Sequence, residues 1–540
     1  MTNSIEIVDR MRWVSAAAAS ALLALTVAVV LAVVHQPLTT PPGTPAAAAF
    51  DSRTDTLDPR IAALAASHPG RSLEAIVQFN AGVSNKQAQS DAVRVGARIT
   101  GTLHIIPALG VRLTAAQARS LAASPDVRAV SLNAQITPQS GSLDGRSPGP
   151  QLDSTYDETL GVLPLWRAGL TGVGVGVAVV DTGVDGALRD FRASSGNSRV
   201  VETAVTNPAA RTVQDAYGHG TDVAGIIAGR SRDYSGVAPG ANLISIKVSD
   251  DAGRATVLDV IYGLQFAVDR KRDFNIRVVN LSLDSATPQS YKNDPLDAAV
   301  ESAWFHGLVV VTAAGNRGDA PDAVHYAPAN DPYAITVGAV DENGTPDPAD
   351  DAIASWSARG TTQDGFEKPD VYAPGAHIVS VLAPGSVFAG SCTDCIVDHR
   401  YIRTSGTSMA APMISGLIAD VLQAHPSLTP NQIKGALTSA FVRAQPAIQE
   451  VNAVRVALDV HPSGADAGLT ANSLLGAEGN IDYSRSSWSL SSWSVAKGAL
   501  KAGFALSSWS CASCTGGKDA ADPSLSSWSL SSWSTVQPLG

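Results

Sequence analysis

Three short motifs carry the side chains of this 540-residue chain that could do covalent chemistry. An apolar run ends in Asp181, His219 stands between two glycines, and Ser408 begins a segment with helical character. A serine hydroxyl is a poor nucleophile at neutral pH and needs an adjacent base to accept its proton. A histidine can be that base, and a carboxylate can fix its tautomer and stabilise the imidazolium. Asp181, His219 and Ser408 are therefore a candidate triad for acyl transfer.

Each motif also has a structural explanation when it stands alone. A strand-end aspartate is commonly a turn residue, a glycine-flanked histidine a loop residue, and a helix-start serine an N-cap. The combination is more specific, because the order Asp, His, Ser is that of subtilisin and differs from the orders of chymotrypsin and the α/β-hydrolases. Those hydrolases usually carry a G-x-S-x-G elbow before their histidine, whereas Gly406–Ala410 reads G-T-S-M-A. An esterase or lipase is therefore the weaker interpretation.

Four further segments resemble the subtilases, the subtilisin-like serine peptidase family, and the resemblance covers roughly residues 155–460. They are Gly236–Ala241 (GVAPGA), Val279–Leu283 (VNLSL), Ala313–Asn316 (AAGN) and Lys368–Gly375 (KPDVYAPG). The resemblance implies a secreted serine endopeptidase that hydrolyses peptide bonds in proteins through an acyl-enzyme. It also implies that Asn316 and the backbone N–H of Ser408 bind the oxyanion. A loop-capping amide is the structural alternative for Asn316.

By the same resemblance, two short segments line the substrate cleft. The residues implied are Ser282, Leu283, Asp284, Ala313, Ala314 and Gly315. Asp284 stands where the family usually has glycine, and it either narrows the cleft, favours basic groups on the substrate or is an exposed turn residue. A looser alignment places Tyr326 near the base of the primary specificity pocket, where its ring would favour small side chains before the scissile bond.

Near-continuous apolar runs alternate with helical segments between residues 155 and 460. Such runs suit strands that are buried on both faces of a parallel sheet, and they cover 173–180, 243–248, 277–283, 308–313 and 334–340. Helical segments lie between them at 258–269 and 295–306. The pattern predicts an α/β fold with a mostly parallel central sheet flanked by helices, which agrees with a subtilisin-like catalytic domain at 155–460.

A smaller α+β unit is predicted ahead of this domain. Residues 72–135 follow the order strand, helix, strand, strand, helix, strand, which is the ferredoxin-like plan. The family resemblance implies that residues 50–135 are a pro-domain, which assists folding and inhibits until it is removed. Residues 136–154 are then a linker, and we expect the enzyme to cut itself between about 133 and 155. A permanently attached accessory domain is the alternative.

The first 49 residues have the layout of an export signal. Arg10 and Arg12 precede the uncharged run Trp13–Val34, and Ala46–Ala49 supplies small residues that suit a cleavage site. The run is also long enough to span a bilayer, which needs about 20 apolar residues, so an uncleaved signal anchor is the alternative. Both interpretations place the catalytic domain outside the cytoplasmic membrane, either secreted or membrane-anchored.

The cysteines form two CxxC pairs. About 115 residues separate the pairs, which is too far for a zinc ribbon, and local disulfides Cys392–Cys395 and Cys511–Cys514 are expected in an exported chain. No metal site is predicted, and the implied reaction requires no cofactor. Structural calcium is common in subtilases, but its ligands stay unassigned in this sequence.

The end of the chain, residues 461–540, is a low-complexity tail in which Ser-Ser-Trp-Ser recurs five times, centred on Trp488, Trp493, Trp509, Trp528 and Trp533. Tryptophan faces commonly grip sugars or partner surfaces, so attachment to the cell envelope is the functional interpretation and a passive tail the alternative. The net charge of −11 argues against nucleic acid as a partner. A catalytically silent subtilase-fold binding protein, displayed on the envelope, is the rival function. It would have lost a triad residue or Asn316, and all four are present.

Overall fold

The computed structural model describes residues 56–138, 142–143, 156–439, 441–442, 450–458, 464–472 and 475. The predicted export signal, most of the predicted linker, Cys511, Cys514 and the tryptophan repeats lie outside this part of the chain. Within it, no helix combines the length and the apolarity that a membrane crossing requires.

Residues 56–132, called the N-terminal domain below, contain the predicted order of strands and helices. The elements are α1 (Pro59–Ser67), β1 (Ser72–Phe79), α2 (Asn85–Arg94), β2 (Arg98–Thr102), β3 (Ala108–Thr114), α3 (Ala115–Ala122) and β4 (Val127–Leu132). Neighbouring strands are antiparallel in the order β2–β3–β1–β4, in keeping with the ferredoxin-like plan. Helix α1 was not predicted. The Asp58 carboxylate caps it by accepting a hydrogen bond from the backbone N–H of Arg60 at 2.8 Å.

Two short strands follow the N-terminal domain, β5 (Gln135–Pro138) and β6 (Ser142–Leu143), and both pair with strands of the larger domain. The larger domain, called the body below, starts at residue 156. Its strands, in chain order, are β7 (Gly176–Asp181), β8 (Val200–Val205), β9 (Asn242–Lys247), β10 (Ala255–Thr256), β11 (Ile276–Leu281), β12 (Leu283–Ser285), β13 (Val309–Ala313), β14 (Ile335–Asp341), β15 (Ala352–Ile353), β16 (Gly360–Thr361), β17 (Glu367–Lys368), β18 (Val371–Pro374), β19 (Ile378–Val381), β20 (Ile396–Val397), β21 (Tyr401–Ser405), β22 (Phe441–Val442) and β23 (Glu450–Val451).

The helices of the body connect and cover these strands. They are α4 (Tyr156–Thr159), α5 (Leu163–Arg167), α6 (His219–Ala228), α7 (Val257–Asp269), α8 (Pro295–Phe305), α9 (Val387–Ser391), α10 (Thr407–Ala424), α11 (Pro430–Ser439) and α12 (Ala453–Leu458). The central sheet runs in the order β22–β23–β18–β14–β13–β11–β7–β9–β8, and its strands from β23 to β8 are parallel to their neighbours. The predicted α/β fold with a mostly parallel sheet flanked by helices is therefore confirmed.

The structure differs from the predicted strands in two places. The run predicted as one strand at 277–283 is two, because the chain leaves the central sheet after Leu281 and pairs with β5 through β12. Strand β8 was not predicted, since it lies at the edge of the sheet and is only half-buried along most of its length. Strand β7, by contrast, is buried at every position, which explains its continuous apolar sequence.

The N-terminal domain packs its sheet against helices α7 and α8 of the body. Ile76 of β1 joins the apolar core of the body, while its neighbours on the strand face the domain's own helices. The backbone N–H of His104 donates to Gln265 Oε1 at 2.8 Å, and Ser302 Oγ donates to the carbonyl of Ile105 at 2.8 Å. Gln265 and Ser302 are buried, so the contact is both apolar and hydrogen-bonded.

Candidate active site

The candidate triad lies at one edge of the central sheet. Asp181 ends β7, Ser282 follows the end of the adjacent strand β11, and Asn316 follows the next strand, β13. Parallel strands bring their carboxyl ends to the same edge of a sheet, where the crevice of an α/β fold commonly binds its ligand. The topology therefore gathers residues that are more than a hundred positions apart in the sequence.

Asp181 and His219 form a buried pair. His219 Nδ1 lies 2.7 Å from Asp181 Oδ1, and the backbone N–H of Thr182 donates to the same oxygen at 2.7 Å. The His219 ring is fully buried, and it begins helix α6 directly after Gly218, whose φ is +109°. The carboxylate thus fixes which ring nitrogen carries the proton, and Nε2 becomes the acceptor.

Gly220 allows helix α6 to approach β7 this closely. A Cβ at this position would lie 2.2 Å from the carbonyl oxygen of Gly183 and 3.1 Å from Asp181 Cβ. Real side chains do not tolerate the first distance, so any larger residue would push the helix away from the strand. The glycine after the histidine is therefore required by the close approach of Asp181 and His219.

A second carboxylate, Asp215, holds the two elements together. It accepts hydrogen bonds from Thr182 Oγ1 at 2.9 Å, from the backbone N–H of Gly218 at 2.7 Å and from that of Thr221 at 2.8 Å. Thr182 Oγ1 in turn accepts from the backbone N–H of Gly220 at 2.8 Å. Asp215 therefore satisfies the start of α6 and fixes it to the end of β7. Sequence reasoning missed this residue, because it lies three positions before the N-cap Gly218 and so outside the usual capping position.

The charges around His219 favour the protonated form of its ring. Burial disfavours the charged ring and acts to lower the pKa of His219, but the Asp181 carboxylate and its hydrogen bond, together with the charges of Asp222 and Asp215, outweigh burial. The pKa of His219 is raised above its ordinary value as a result. A base of this kind accepts a proton more readily and stabilises the imidazolium that forms.

Ser408 is the second residue of helix α10, and Pro412 shapes its surroundings. Pro412 has no N–H to donate to the carbonyl four residues earlier, which is that of Ser408. Ser282 Oγ supplies the missing donor, and it lies 3.0 Å from the Ser408 carbonyl oxygen. Asn280 Nδ2 donates to Ser282 Oγ at 3.0 Å, and Ser415 Oγ donates to Asn280 Oδ1 at 2.8 Å. This buried chain of hydrogen bonds fixes the candidate nucleophile to residues 282–284, called the cleft segment below.

The Ser408 hydroxyl itself points to the cleft segment in this structure. Its Oγ donates to the Ser282 carbonyl at 3.1 Å, and His219 Nε2 has no hydrogen-bond partner among the described residues. Rotation about one side-chain bond redirects the hydroxyl hydrogen bond, and such bonds often become shorter only when substrate is bound. The structure thus brings Asp181 and His219 together and leaves the hydroxyl bonded to its neighbour.

Asn316 is oriented by Thr407. Its Oδ1 accepts hydrogen bonds from the backbone N–H of Thr407 at 3.0 Å and from Thr407 Oγ1 at 3.1 Å. Thr407 Oγ1 also accepts from the backbone N–H of Gly315 at 3.1 Å. The oxygen end of the amide therefore caps the start of α10, and the implied oxyanion role would use the Nδ2 end, since an oxyanion needs a donor. The capping role and the implied oxyanion role are compatible.

Asp222 lies one turn after His219 in α6 and is fully buried. Thr404 Oγ1 donates to its Oδ2 at 2.9 Å, while Oδ1 has no hydrogen-bond partner within the described part of the chain. Burial raises the pKa of Asp222 to about 7, although the hydrogen bond from Thr404 and the charge of His219 act in the opposite direction. This carboxyl therefore changes its charge near neutral pH.

We expect Asp222 to destabilise the folded protein as the pH rises. Its pKa is higher in the folded than in the unfolded chain, so the folded state binds the extra proton. That contribution is complete below the unfolded value near 4 and is lost as the pH passes through about 7. Asp222→Asn removes the titration, so the effect of the substitution on the unfolding free energy should be more favourable at pH 8 than at pH 5, by about 2.5 kcal/mol, since part of the contribution is already lost at pH 5.

Denaturant unfolding at pH 5 and pH 8 measures this difference. Both proteins carry Ser408→Ala, which removes the candidate nucleophile and with it any self-digestion. Asp233→Asn is the matched control, because that side chain is 73% exposed, and it should show no such pH dependence. An Asp222→Asn effect of equal size at both pH values would contradict the expectation.

Helix α9 covers one side of the histidine and is followed by a disulfide-containing loop. Cys392 and Cys395 form the disulfide bond of this loop. The ring of Phe388, in α9 itself, lies edge-on to the His219 ring, with centroids 6.0 Å apart, and its centroid lies 5.3 Å from that of the Tyr217 ring. Helix α9 thus packs apolar surface against the candidate base. The pair Cys511 and Cys514 lies outside the described residues.

The cleft beside the triad is occupied by the protein's own chain. Strand β5 lies between β10 and β12 and is antiparallel to both, with Ile136 opposite Ala255 and Pro138 opposite Leu283. A small cavity separates Pro138 from Asp181. Strand β6 then pairs with β21, which ends three residues before Ser408. Both β5 and β6 are therefore paired with strands of the body.

The remaining implied cleft residues lie on two facing segments. Ser282, Leu283 and Asp284 form one segment at β12, and Ala313, Ala314 and Gly315 form the other at the end of β13. Asp284 is only 1% exposed, which excludes the exposed-turn alternative. Its Oδ2 bonds Nη1 of Arg317, a residue that sequence reasoning missed.

The Arg317 guanidinium also stacks on Tyr326. Its carbon lies 3.7 Å from the centroid of the Tyr326 ring, and the Tyr326 hydroxyl donates to Asp322 Oδ2 at 2.8 Å. Tyr326 is therefore linked to the cleft through Arg317. In the described part of the chain, no group of three or more His, Cys, Asp or Glu residues is arranged to hold a metal ion.

Comparison with known proteins gives one consistent result. The family model described as "Subtilase family" matches residues 172–466. The serine protease AprX of Bacillus subtilis is 39% identical over 278 residues, which are 50% of this chain and 61% of that protein. Subtilisin E of the same organism is 35% identical over 51% of this chain and 62% of its own length, and the M-protease of Shouchella clausii is 32% identical over 62% and 73%. The chain thus spans about three fifths of the length of the first two relatives.

A solved structure shares the fold. Fervidolysin from Fervidobacterium pennivorans, a keratinolytic enzyme related to subtilisin, superposes with a TM-score of 0.55 at 24% identity, over 72% of this chain and 61% of fervidolysin. At that identity the likeness concerns the fold alone. The family model covers more than half of the chain, and its range includes Asp181, His219, Asn316 and Ser408. The chain belongs to the subtilase family.

Proposed function

We propose that this protein is a secreted serine endopeptidase that hydrolyses peptide bonds in proteins through an acyl-enzyme. The observation that carries the proposal is the buried Asp181–His219 pair, 2.7 Å apart, at the cleft edge where helix α10 presents Ser408. An antiparallel strand of the same chain already runs along the cleft, so the site accepts extended polypeptide. Together these features support an endopeptidase.

In the proposed mechanism, the triad residues and Asn316 each have a defined catalytic role. The Ser408 hydroxyl turns from the Ser282 carbonyl to His219 Nε2, gives up its proton there and attacks the substrate carbonyl carbon. The oxyanion accepts hydrogen bonds from the backbone N–H of Ser408 and from Asn316 Nδ2. His219 returns the proton to the leaving amine, which departs as the acyl-enzyme forms, while Asp181 stabilises the imidazolium. Water then repeats the sequence and releases the acid.

We further propose that the N-terminal domain is an inhibitory pro-domain and that the protein removes it. Strand β5 links this domain to the cleft, and Pro138 pairs with Leu283, one position short of Ser282. The Ser282 carbonyl is the group that accepts the Ser408 hydroxyl. The next residue, Gln139, lies outside the described part of the chain, and the bond after it is the one we propose is cut. The mature protein would then begin at Ser140.

Export is part of the proposal and is supported by sequence alone. The segment before residue 50 has the layout of a signal peptide or a signal anchor. The protein is accordingly proposed to be secreted, or membrane-anchored with the body outside the membrane. The Ser-Ser-Trp-Ser repeats are proposed to attach it to the cell envelope. The catalytically silent display protein is the alternative function.

Labelling with a fluorophosphonate probe distinguishes the two functions. The reagent is expected to modify purified mature protein at a single serine, Ser408, and to stop its hydrolysis of casein. N-terminal sequencing of the same sample should give Ser140-Gly141-Ser142. Protein that starts before Gln139, is not labelled and leaves casein intact would instead favour the silent binding protein.

A further inference from the structure

The ion pair between Asp284 and Arg317 lies where the cleft meets the side chain before the scissile bond. We propose that this pair makes glutamine the preferred residue at P1, the position on the amino side of the bond that is cut. The proposal rests on the proposed peptidase function and deepens it. It differs from the expectation for Tyr326 alone, which was a preference for small side chains.

The position of the ion pair follows from the pairing of β5 with β12. Asp284 lies opposite Thr137 in the antiparallel ladder, and Pro138 lies opposite Leu283. A substrate held in the register of β5 would place the residue that follows the position of Pro138 beside the space between β12 and the end of β13. Gly315 keeps that space open, since a Cβ there would lie 3.2 Å from Arg317 Nη1 and 3.6 Å from Asp284 Oδ2. A side chain entering the space meets both members of the pair.

The charges select against ionised side chains. The Asp284 side chain is 1% exposed and the Arg317 side chain 28% exposed, so this ion pair is largely shielded from solvent. A carboxylate at P1 would compete with Asp284 for the guanidinium and lie beside a buried like charge. An ammonium at P1 would compete with Arg317 in the same way. Like charges placed together in a desolvated site are strongly unfavourable, so neither class of substrate is favoured.

The pair nevertheless retains hydrogen-bonding capacity of both kinds. A guanidinium has five N–H donors, and a carboxylate has about four acceptor sites, so the bond that they share uses only part of either set. A primary amide offers one acceptor oxygen and an NH₂ donor group. Its oxygen can accept from Arg317 while its nitrogen donates to Asp284. A site built on such hydrogen bonds also rejects apolar side chains, because these would cover the charges without bonding them.

Stacking on Tyr326 restricts where the guanidinium can go. The Arg317 carbon lies 3.7 Å from the ring centroid, and the ring is itself held by its hydroxyl bond to Asp322. The guanidinium is thereby held between the Tyr326 ring and the Asp284 carboxylate. A donor array fixed in advance loses less side-chain entropy when it binds.

The sequence of the chain itself agrees with this preference. The residue that follows Pro138, where we propose that the protein cuts itself, is Gln139. The chain then presents an amide to its own specificity pocket during maturation. The agreement is independent of the Asp284–Arg317 geometry, since it depends only on the register of β5 and on the sequence.

Four peptides that differ only at P1 test the inference. They carry Gln, Glu, Lys or Phe after a common Ile-Thr-Pro segment copied from residues 136–138, and kcat/KM is measured for each with mature wild-type protein. We expect the Gln peptide to be cut at least about tenfold better than each of the others. Cleavage in which Phe, Glu or Lys equals or exceeds Gln would overturn the inference.

Two charge variants sharpen the test. Asp284→Asn removes the carboxylate that pairs with Arg317, so the ratio of Glu-peptide to Gln-peptide cleavage should rise by about tenfold or more. Arg317→Met removes the cation that pairs with Asp284, so the ratio of Lys-peptide to Gln-peptide cleavage should rise by a similar factor. Each preference is a ratio within one sample, so a partly misfolded preparation lowers all four rates and leaves the ratio unchanged. Asp319→Asn is the matched control, because its side chain is 83% exposed and pairs with Arg359 instead; its ratios should equal those of wild type.

The outcomes separate this inference from the proposed function. If the cleavage ratios are unchanged in both charge variants, the ion pair does not determine the preference at P1, while the peptidase function would stand. Absence of cleavage of all four peptides and of casein, without fluorophosphonate labelling of Ser408, would instead contradict the peptidase function itself.

Discussion

Replacing Ser408 by alanine is expected to abolish both maturation and protein hydrolysis. The variant lacks the atom that forms the acyl-enzyme, and the nearby hydroxyl of Ser282 already donates to the carbonyl of residue 408. In subtilisin itself, loss of the nucleophile is known to lower kcat by a factor on the order of 10⁶. Intact mass should therefore show the 139–140 bond uncut, and casein should remain undigested.

A conservative control and a mixing experiment complete this test. Ser391→Ala removes an exposed hydroxyl that bonds only the carbonyl of Val387 in its own helix, and it should mature and digest casein normally. Purified Ser408→Ala precursor is then mixed with mature wild-type protein. A variant that still loses its first residues when prepared alone would contradict self-cleavage and indicate that a different protease makes the cut.

The parts of the site that were predictable are those with a local cause. Asp181 ends a strand that is buried on both faces, and such strands can be recognised in a sequence as continuous apolar runs. The glycines around His219 reflect a steric requirement within a few ångströms, as the 2.2 Å distance from a Cβ at Gly220 to Gly183 shows. Because the strands of the sheet are parallel, the site residues that follow their carboxyl ends converge at one edge.

Residues that act through long-range polar contacts were not predictable in the same way. Asp215 and Arg317 are unremarkable in the sequence, and the chain holds 49 acidic and 38 basic residues that could form comparable pairs. Which of them meet depends on the exact approach of loops that have no periodic pattern. The sequence left three roles open for Asp284, and its burial excludes the exposed turn, which the sequence alone could not do.

Pro412 is an intermediate case. Its position four residues after Ser408 predicts that the Ser408 carbonyl loses its helical donor. The sequence cannot say which group replaces that donor, because the answer requires β12 to be placed beside α10. The structure assigns it to Ser282, and this explains why a serine on the cleft segment contacts the nucleophile through its side chain and its carbonyl at once.

Asp181→Asn is expected to lower kcat by about 10⁴ at neutral pH while changing KM little. The substitution keeps the shape of the side chain and removes its negative charge. That charge and its hydrogen bond are what raise the pKa of His219 against the effect of burial. Without them the imidazolium that forms during attack has lost its principal counter-charge, whereas the contacts that bind the substrate backbone at β10 and β12 are untouched.

The pH dependence distinguishes this electrostatic role from a structural one. A lower pKa of His219 means that the ring becomes neutral at lower pH, so the acid limb of kcat/KM should move to lower pH in Asp181→Asn. Asp185→Asn, four residues further on and partly exposed, should keep kcat within about twofold of wild type and leave the limb in place. Loss of activity without a shift of the limb would contradict the electrostatic role and indicate that Asp181 serves only to position the ring. A shifted limb would show that the charge of Asp181 sets the proton affinity of the base, as the buried 2.7 Å pair requires.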